Sequence, residues 1–299
     1  MEKHMENRNG EKALARYLSP LDVWAMAFGC MVGWGAFVMP GTTFLPVAGP
    51  AGTLIALAIG AAVMLIIGYS FSFLMARIPG TGGVYSCTKN AFGRDHAFLC
   101  SWFLCLSYLT ILFLNATALF IVIRMVFGGL LQSGYHYEIS GNVIYLREVA
   151  LSVIALALVG FLFVRRKALT QRLFTVLSTV LLVGCLAVIV ACLPRVIASG
   201  AIGDFGSEGL RPGYAIFTIV ILSPWAFVGF DVISFDTAHF DFPIKKSKRV
   251  ITLAILLTAV AYGGMTVASV AAVPPEYANW QEYISALGGL EGVPSVPAF

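Results

Sequence analysis

Charge is what this sequence has least of. Asp, Glu, Lys and Arg make up 11% of the 299 residues, against 59% hydrophobic residues. A soluble domain holds about 25% charged and about 45–50% apolar residues, so the composition excludes a water-soluble globule and points to a membrane protein. Metal-ligand spacing is also missing. The six cysteines, Cys30, Cys87, Cys100, Cys105, Cys185 and Cys192, are scattered, mostly inside apolar runs, with no CxxC pair, and read as small packing residues. The four histidines, His4, His96, His136 and His239, lie at or beyond the ends of those runs. Neither a Ser/His/Asp set nor an HExxH helix can be assembled, so an intramembrane enzyme has little to stand on, and no metal or organic cofactor is expected. The Asn115-Ala116-Thr117 sequon falls inside an apolar run, out of reach of glycosylation. The first twenty residues are polar and do not read as a cleavable signal.

What the sequence does have is long hydrophobic runs. Crossing a bilayer takes about 20 apolar residues at about 1.5 Å each. Seven segments qualify: Leu21–Leu45, Gly52–Ala76, Ala97–Phe127, Glu148–Val164, Thr170–Leu193, Tyr214–Phe235 and Val250–Val273. The expected architecture is one all-α transmembrane domain over residues 1–299, with a tail at 1–20, spans over 21–273 and an external segment at 274–299. Most of the 19 Lys and Arg residues fall on one side, before span 1 and in the loops between spans 2 and 3, 4 and 5, and 6 and 7. Cytoplasmic loops collect such residues, so the N-terminus is expected inside and the segment after span 7 outside. The same bias accounts for the net charge of +4 without a nucleic-acid partner; the lipid bilayer is the partner.

Two spans are interrupted. Span 1 carries "GCMVGWGAFVMPG", in which Gly29, Gly33, Gly35, Pro40 and Gly41 cluster near mid-membrane. Proline removes a backbone donor and disfavours helix in the residue before it. Tight helix packing is one reading of such glycines, and for Gly60 and Gly68 in span 2 it suffices. A broken helix is the other, tolerated where protein or a wet cavity satisfies the freed backbone groups. Span 6 carries the second interruption, "ILSPWAFVGFD", with Pro224 and Gly229 around an aromatic stretch. Matched breaks in two repeats point to a transporter site at the bilayer midplane. Free N–H groups at one break suit an anion, and free carbonyls at the other suit a cation. A zwitterionic amino acid presents both charges.

Three stretches carry a resemblance to the amino acid/polyamine/organocation superfamily of permeases. "GWGAFVMPG" resembles its span 1 G-S-G-I-F segment. "PGTGGVYSCTKNAFG", Pro79 to Gly93, resembles its P-x-x-G-G-x-Y hallmark between spans 2 and 3, and "FVGFDVISFDTAHFDFPIKKSKR", Phe227 to Arg249, resembles its F-x-G-F-[DE] element and the loop after it. The resemblance runs from about Leu21 to the end. It implies a LeuT-type inverted-repeat fold and proton- or sodium-linked uptake or exchange of amino acids across the cytoplasmic membrane. It also implies that the substrate carboxylate meets backbone N–H groups of Gly33, Trp34 and Gly35. The ammonium would meet carbonyls of Met31, Trp225 and Val228, with Trp225 closing over the substrate or else serving as a packed aromatic. The chain departs from the family in three ways: span 5 has no lysine, Trp34 replaces a small residue, and the spans stop at seven, so the second repeat is expected to be incomplete.

Asp231 is the acid placed well within a span. A carboxylate there costs about 2.5–3.5 kcal/mol on insertion scales, so such residues are usually functional or paired. Asp231 is a candidate for proton coupling, with a helix-end acid as the plainer reading; sodium is the alternative coupling ion. Cys105, Tyr108 and Leu112 share a face of span 3 and form a candidate pocket wall. With no other intramembrane acid to pair a cationic side chain, a neutral amino acid is the expected substrate. After span 7, Tyr277, Trp280, Ile284 and Leu287 recur at helical spacing and suggest an amphipathic surface helix. The rivals are a non-transporting membrane assembly protein and a seven-span receptor. The receptor conflicts with the inside N-terminus, and span 7 has no lysine for a retinal Schiff base. The sequence sets no oligomeric state.

Overall fold

The computed structural model describes residues 16–78, 80, 82–139, 142–203, 211–274, 276–277, 280, 282–283 and 286. Its contacts divide the chain into two compact units, residues 1–87 with 174–299 and residues 88–173.

The first unit begins with a well-specified helix start. Ser19 caps α1 (Pro20–Met31) in a capping box with Asp22, and Pro20 occupies the first helical turn, where its missing N–H costs nothing. Asp22 is held further by the Thr175 hydroxyl at 2.7 Å, so this acid at the mouth of span 1 is paired. After Met31 the helix stops. It resumes as α2 (Gly35–Met39), opens into a π-helical turn at Pro40–Phe44, and continues as α3 (Leu45–Arg77). A straight helix over the 43 residues from Gly35 to Arg77 would be about 65 Å long, twice the hydrocarbon core. Gly49 (φ 64°, ψ −179°) before Pro50 is where it turns, a left-handed conformation that glycine adopts without strain. A short helix, α4 (Gly83–Phe92), comes after the glycine-rich loop.

Six helices among the described residues are long and apolar enough to cross a membrane, against seven segments expected. The difference lies in span 1. Its first half, α1, has only 12 residues, and its second half is merged with span 2 into the long Gly35–Arg77 stretch. Span 6 is likewise split. α8 (Pro212–Leu222) gives way to a 3₁₀ turn at Ser223–Phe227 and then to a 3₁₀ segment at Phe230–His239. Span 7 is α9 (Ser247–Ala271).

These elements pack on one another: α9 against α3 and α1, α3 against α8, and α1 against the Phe230–His239 segment. Phe28, Phe44, Phe227, Ile219, Ile251 and Ile255 are fully buried at their centre. Gly60 and Gly68 are packing glycines as expected. A Cβ on Gly60 would run into Ser223, and one on Gly68 would lie 2.7 Å from Ile251. Gly29 proves to be the same kind: it lies within α1, where a Cβ would meet Ser178 and Phe174 of α7 (Lys167–Ser199). Ser178 donates to the Ala25 carbonyl at 3.2 Å. Trp280, expected on a surface helix, is buried against Leu45, Val196, Val270 and Ala271; Ile284 and Leu287 lie outside the described residues.

The second unit holds α5 (Arg94–Phe127), the strands β1 (His136–Ile139) and β2 (Asn142–Tyr145) and all of α6 (Leu146–Arg165), together with the end of α4 and the start of α7. The hairpin is a departure from a purely helical chain, with His136 opposite Tyr145 and Ile139 opposite Asn142. It is tied down by a bidentate pair. Arg124 donates through Nε and Nη2 to the two oxygens of Glu148 at 2.8 Å each, and through Nη2 to the Val143 carbonyl at 2.7 Å. Glu148 is completely buried, so its charge depends on that guanidinium. Replacing Glu148 by Gln should lower stability by about 1–3 kcal/mol, and Arg124→Lys, which loses the fork geometry, should cost a similar amount. Thermal denaturation of the purified protein checks this; an unchanged midpoint in both variants would show that the pair contributes nothing.

Candidate functional site

The two breaks meet. Gly229 comes after the Ser223–Phe227 turn with φ 119°, and a Cβ there would lie 2.8 Å from Cys30 Cβ and 3.0 Å from the Cys30 carbonyl carbon and oxygen. Only glycine permits this approach, on both backbone conformation and space. The last turn of α1 is therefore pressed against the middle of span 6, and Asp231, half-buried, lies close enough to Cys30 to act on it electrostatically.

The break in span 1 is narrower than its glycine and proline content suggests. Val32 still donates to Phe28 at 2.8 Å, and Ala36 and Phe37 already donate to Gly33 and Trp34 at 3.0 Å. Between them the N–H groups of Gly33, Trp34 and Gly35 take no backbone partner among the described residues. These are the three named from sequence for the carboxylate. Pro40 and Gly41 belong instead to the π-helical turn beyond the break, where the wider ladder absorbs the missing proline donor. Gly35 faces the Tyr262 hydroxyl of α9, 3.3 Å from where its Cβ would be. Met31 sulfur accepts from the buried Thr258 hydroxyl at 3.8 Å. Neither Tyr262 nor Thr258 stands out in the sequence, because each is a single polar residue in an apolar helix.

On the span 6 side, the Trp225 carbonyl accepts a long 3.5 Å bond from the Val228 N–H. The Trp225 ring is 54% exposed and Val228 38% exposed, so neither is committed to the core. Cys105 and Leu112 of α5 are exposed and, with Tyr108, belong to the second unit.

Beyond Asp231 the segment leads to a second constellation that sequence reasoning missed. The Thr237 hydroxyl donates to the Gly80 carbonyl at 2.6 Å and accepts from the Gly80 N–H at 2.9 Å. Gly83 (φ 47°) packs against Phe235 and Ser234, whose Oγ would be 2.8 Å from a Cβ. The signal was present in the glycines of "PGTGG", but their partners lie far along the chain. Leu18 pairs with Phe240 in a parallel bridge, Tyr17 packs its ring on His239 at 5.3 Å, and His239 Nδ1 lies 3.3 Å from Asp236. Partial burial, then the charge of Asp236, pushes the Tyr17 phenol above its usual range.

Two broken helices thus meet at their breaks in a protein of long apolar helices. The amino acid permease family pattern matches residues 18–290, and the chain belongs to that family. Cationic amino acid transporter 4 of Mus musculus is 36% identical over 107 residues, 36% of this chain and 17% of that protein. The branched-chain amino acid permease BcaP of Bacillus subtilis is 27% identical over 268 residues, 85% of this chain and 54% of that protein. The methylthioribose transporter of Bacillus subtilis is 35% identical over 106 residues, 36% of this chain and 23% of that protein. The chain thus spans about half the length of BcaP and less of the other two.

The Gly229 contact yields a stability prediction. Gly229→Ala should destabilise the protein by at least about 2 kcal/mol, from left-handed backbone strain plus overpacking on Cys30. Gly213→Ala, a helical site with open space around it, should be neutral or slightly stabilising. Equal shifts of the two denaturation midpoints would mean that Gly229 is not under this constraint.

Proposed function

We propose that this chain forms the substrate-binding part of a secondary active transporter that moves a neutral amino acid across the cytoplasmic membrane by alternating access. The observation that carries the reading is the meeting of the two breaks at Gly229 and Cys30. It sets a short row of N–H groups near a segment whose helical hydrogen bonding is interrupted. In this reading the N–H groups of Gly33, Trp34 and Gly35 take the carboxylate, assisted by the positive end of the helix dipole. Carbonyls of Met31, Trp225 and Val228 take the ammonium, and the half-exposed Trp225 ring closes over the bound molecule. The basic loops keep the N-terminus cytoplasmic, and Asp231 carries the coupling proton, with sodium as the alternative.

Substrate polarity is argued from charge. Asp231 is the acid within span 6, and a coupling proton and a cationic side chain cannot both use it. A thermal-shift panel of amino acids on the purified protein should show stabilisation by leucine, isoleucine, valine or an aromatic amino acid. Stabilisation by arginine or lysine alone would overturn the neutral substrate.

Trp225 is tested against a tryptophan of equal exposure. Trp225→Ala should weaken substrate binding about tenfold or more, the value of one lost aromatic contact. Trp102→Ala on α5, 55% exposed against 54% for Trp225, should leave affinity unchanged. Equal losses in isothermal titration would reduce Trp225 to packing.

A further inference from the structure

A proton on Asp231 needs a way out, and the 3₁₀ geometry of Phe230–His239 provides the direction. Side chains three residues apart eclipse in a 3₁₀ helix, so Ser234 stands directly along the segment from Asp231; the segment kinks at Asp236 (φ −115°, ψ 16°), and Thr237 lies beyond the kink. Ser234 is 4% exposed, and its hydroxyl has no hydrogen-bond partner among the described residues. An unsatisfied buried hydroxyl costs about 1–3 kcal/mol, which water in an adjoining space would relieve.

That space exists. A small cleft of about 40 Å³, enough for a water molecule, is lined by Ser234 together with Phe71, Met75, Gly83, Val84 and Cys87. Gly83 keeps it open over the hydroxyl, since a Cβ there would crowd Ser234 Oγ at 2.8 Å and Phe235 at 2.7 Å. Thr237 is engaged at both ends by Gly80 and so latches the loop that forms one side of the cleft. Among the described residues, ionisable groups around this face include the Cys87 thiol in the cleft wall, the Cys30 thiol beside Asp231, and Asp236, His239 and Tyr17 at the far end.

We propose that water in the cleft beside Gly83 and Cys87 reaches the Ser234 hydroxyl, and that this hydroxyl relays the proton between Asp231 and the cytoplasm. Ser234 accepts a proton on Oγ from the Asp231 carboxyl side while passing its own to cleft water, so charge and atoms balance at every exchange. Ser234 is a relay and Thr237 a positioning residue. The inference rests on Asp231 as the coupling acid.

Two measurements test it separately. In inside-out vesicles, a small cationic thiol reagent should label Ser234→Cys, read by peptide mass spectrometry, while Ile233→Cys, at a position 1% exposed and off this face, stays unlabelled. Absence of label at 234, equal label at both positions, or label only from the opposite side would overturn the water route. In liposomes, Ser234→Ala should slow proton-driven accumulation about tenfold, the size of one lost hydrogen-bonded link. Ser234→Thr should restore it, and substrate exchange should persist in both. Unchanged accumulation in Ser234→Ala would overturn the relay. Asp231→Asn in the same assay isolates the underlying reading: if it leaves accumulation unchanged while position 234 is labelled, Asp231 is not the coupling acid and the relay falls with it. If Asp231→Asn abolishes accumulation and position 234 is unlabelled, only the route is wrong.

Discussion

A helix interrupted among apolar surroundings must have its freed backbone groups met by other protein or by water, and the contact between Gly229 and Cys30 is where this chain meets that demand. Free N–H and C=O groups in hydrocarbon cost several kcal/mol each, so neither span 1 nor span 6 could break alone facing lipid. Bringing the breaks together sets each against protein on one side. The approach requires a residue with no Cβ and a left-handed backbone on one side, which explains a glycine at this position. It also sets the course of the chain beyond the break, because Phe230–His239 leaves it pressed on α1.

The unusual helix types are consequences of the same constraint. Pro224 and Pro40 each remove a donor from a helix that must still turn compactly, and the chain answers with a tight 3₁₀ turn at one and a wide π turn at the other. Tightening span 6 into 3₁₀ geometry aligns Asp231 with Ser234 in a way an α-helix, with about 3.6 residues per turn, would not. Thr237 then finds Gly80, and the loop between spans 2 and 3 becomes part of the same structure. The helices α5, α6 and α7 carry many exposed Phe, Leu, Ile and Val side chains.

Membership of the amino acid permease family accords with the sequence motifs, and the break regions lie where those motifs place them. Sequence reasoning located both breaks but spread the first too widely. Gly29 and Gly41 read as part of one cluster because glycine serves packing and breaking equally well. Only neighbours separate the two uses: Ser178 and Phe174 surround Gly29, whereas the N–H groups of Gly33 and Gly35 take no backbone partner among the described residues.

Hydropathy by itself located the long apolar helices other than the first half of span 1, because an apolar run suited to lipid depends on length and composition and not on partners. Charge bias gave an expected orientation on the same local terms. Capping was equally legible, since Ser19 and Asp22 are three residues apart. The contacts that make a site were not. Tyr262 against Gly35, Thr258 against Met31, Thr237 against Gly80 and Gly229 against Cys30 join residues separated by more than a hundred positions. Tyr262, Thr258 and Thr237 are ordinary residues in the sequence, and packing alone selects each from its neighbours. Tertiary structure decided those pairings because close approach of backbones depends on shape in three dimensions, which no local pattern of residues encodes.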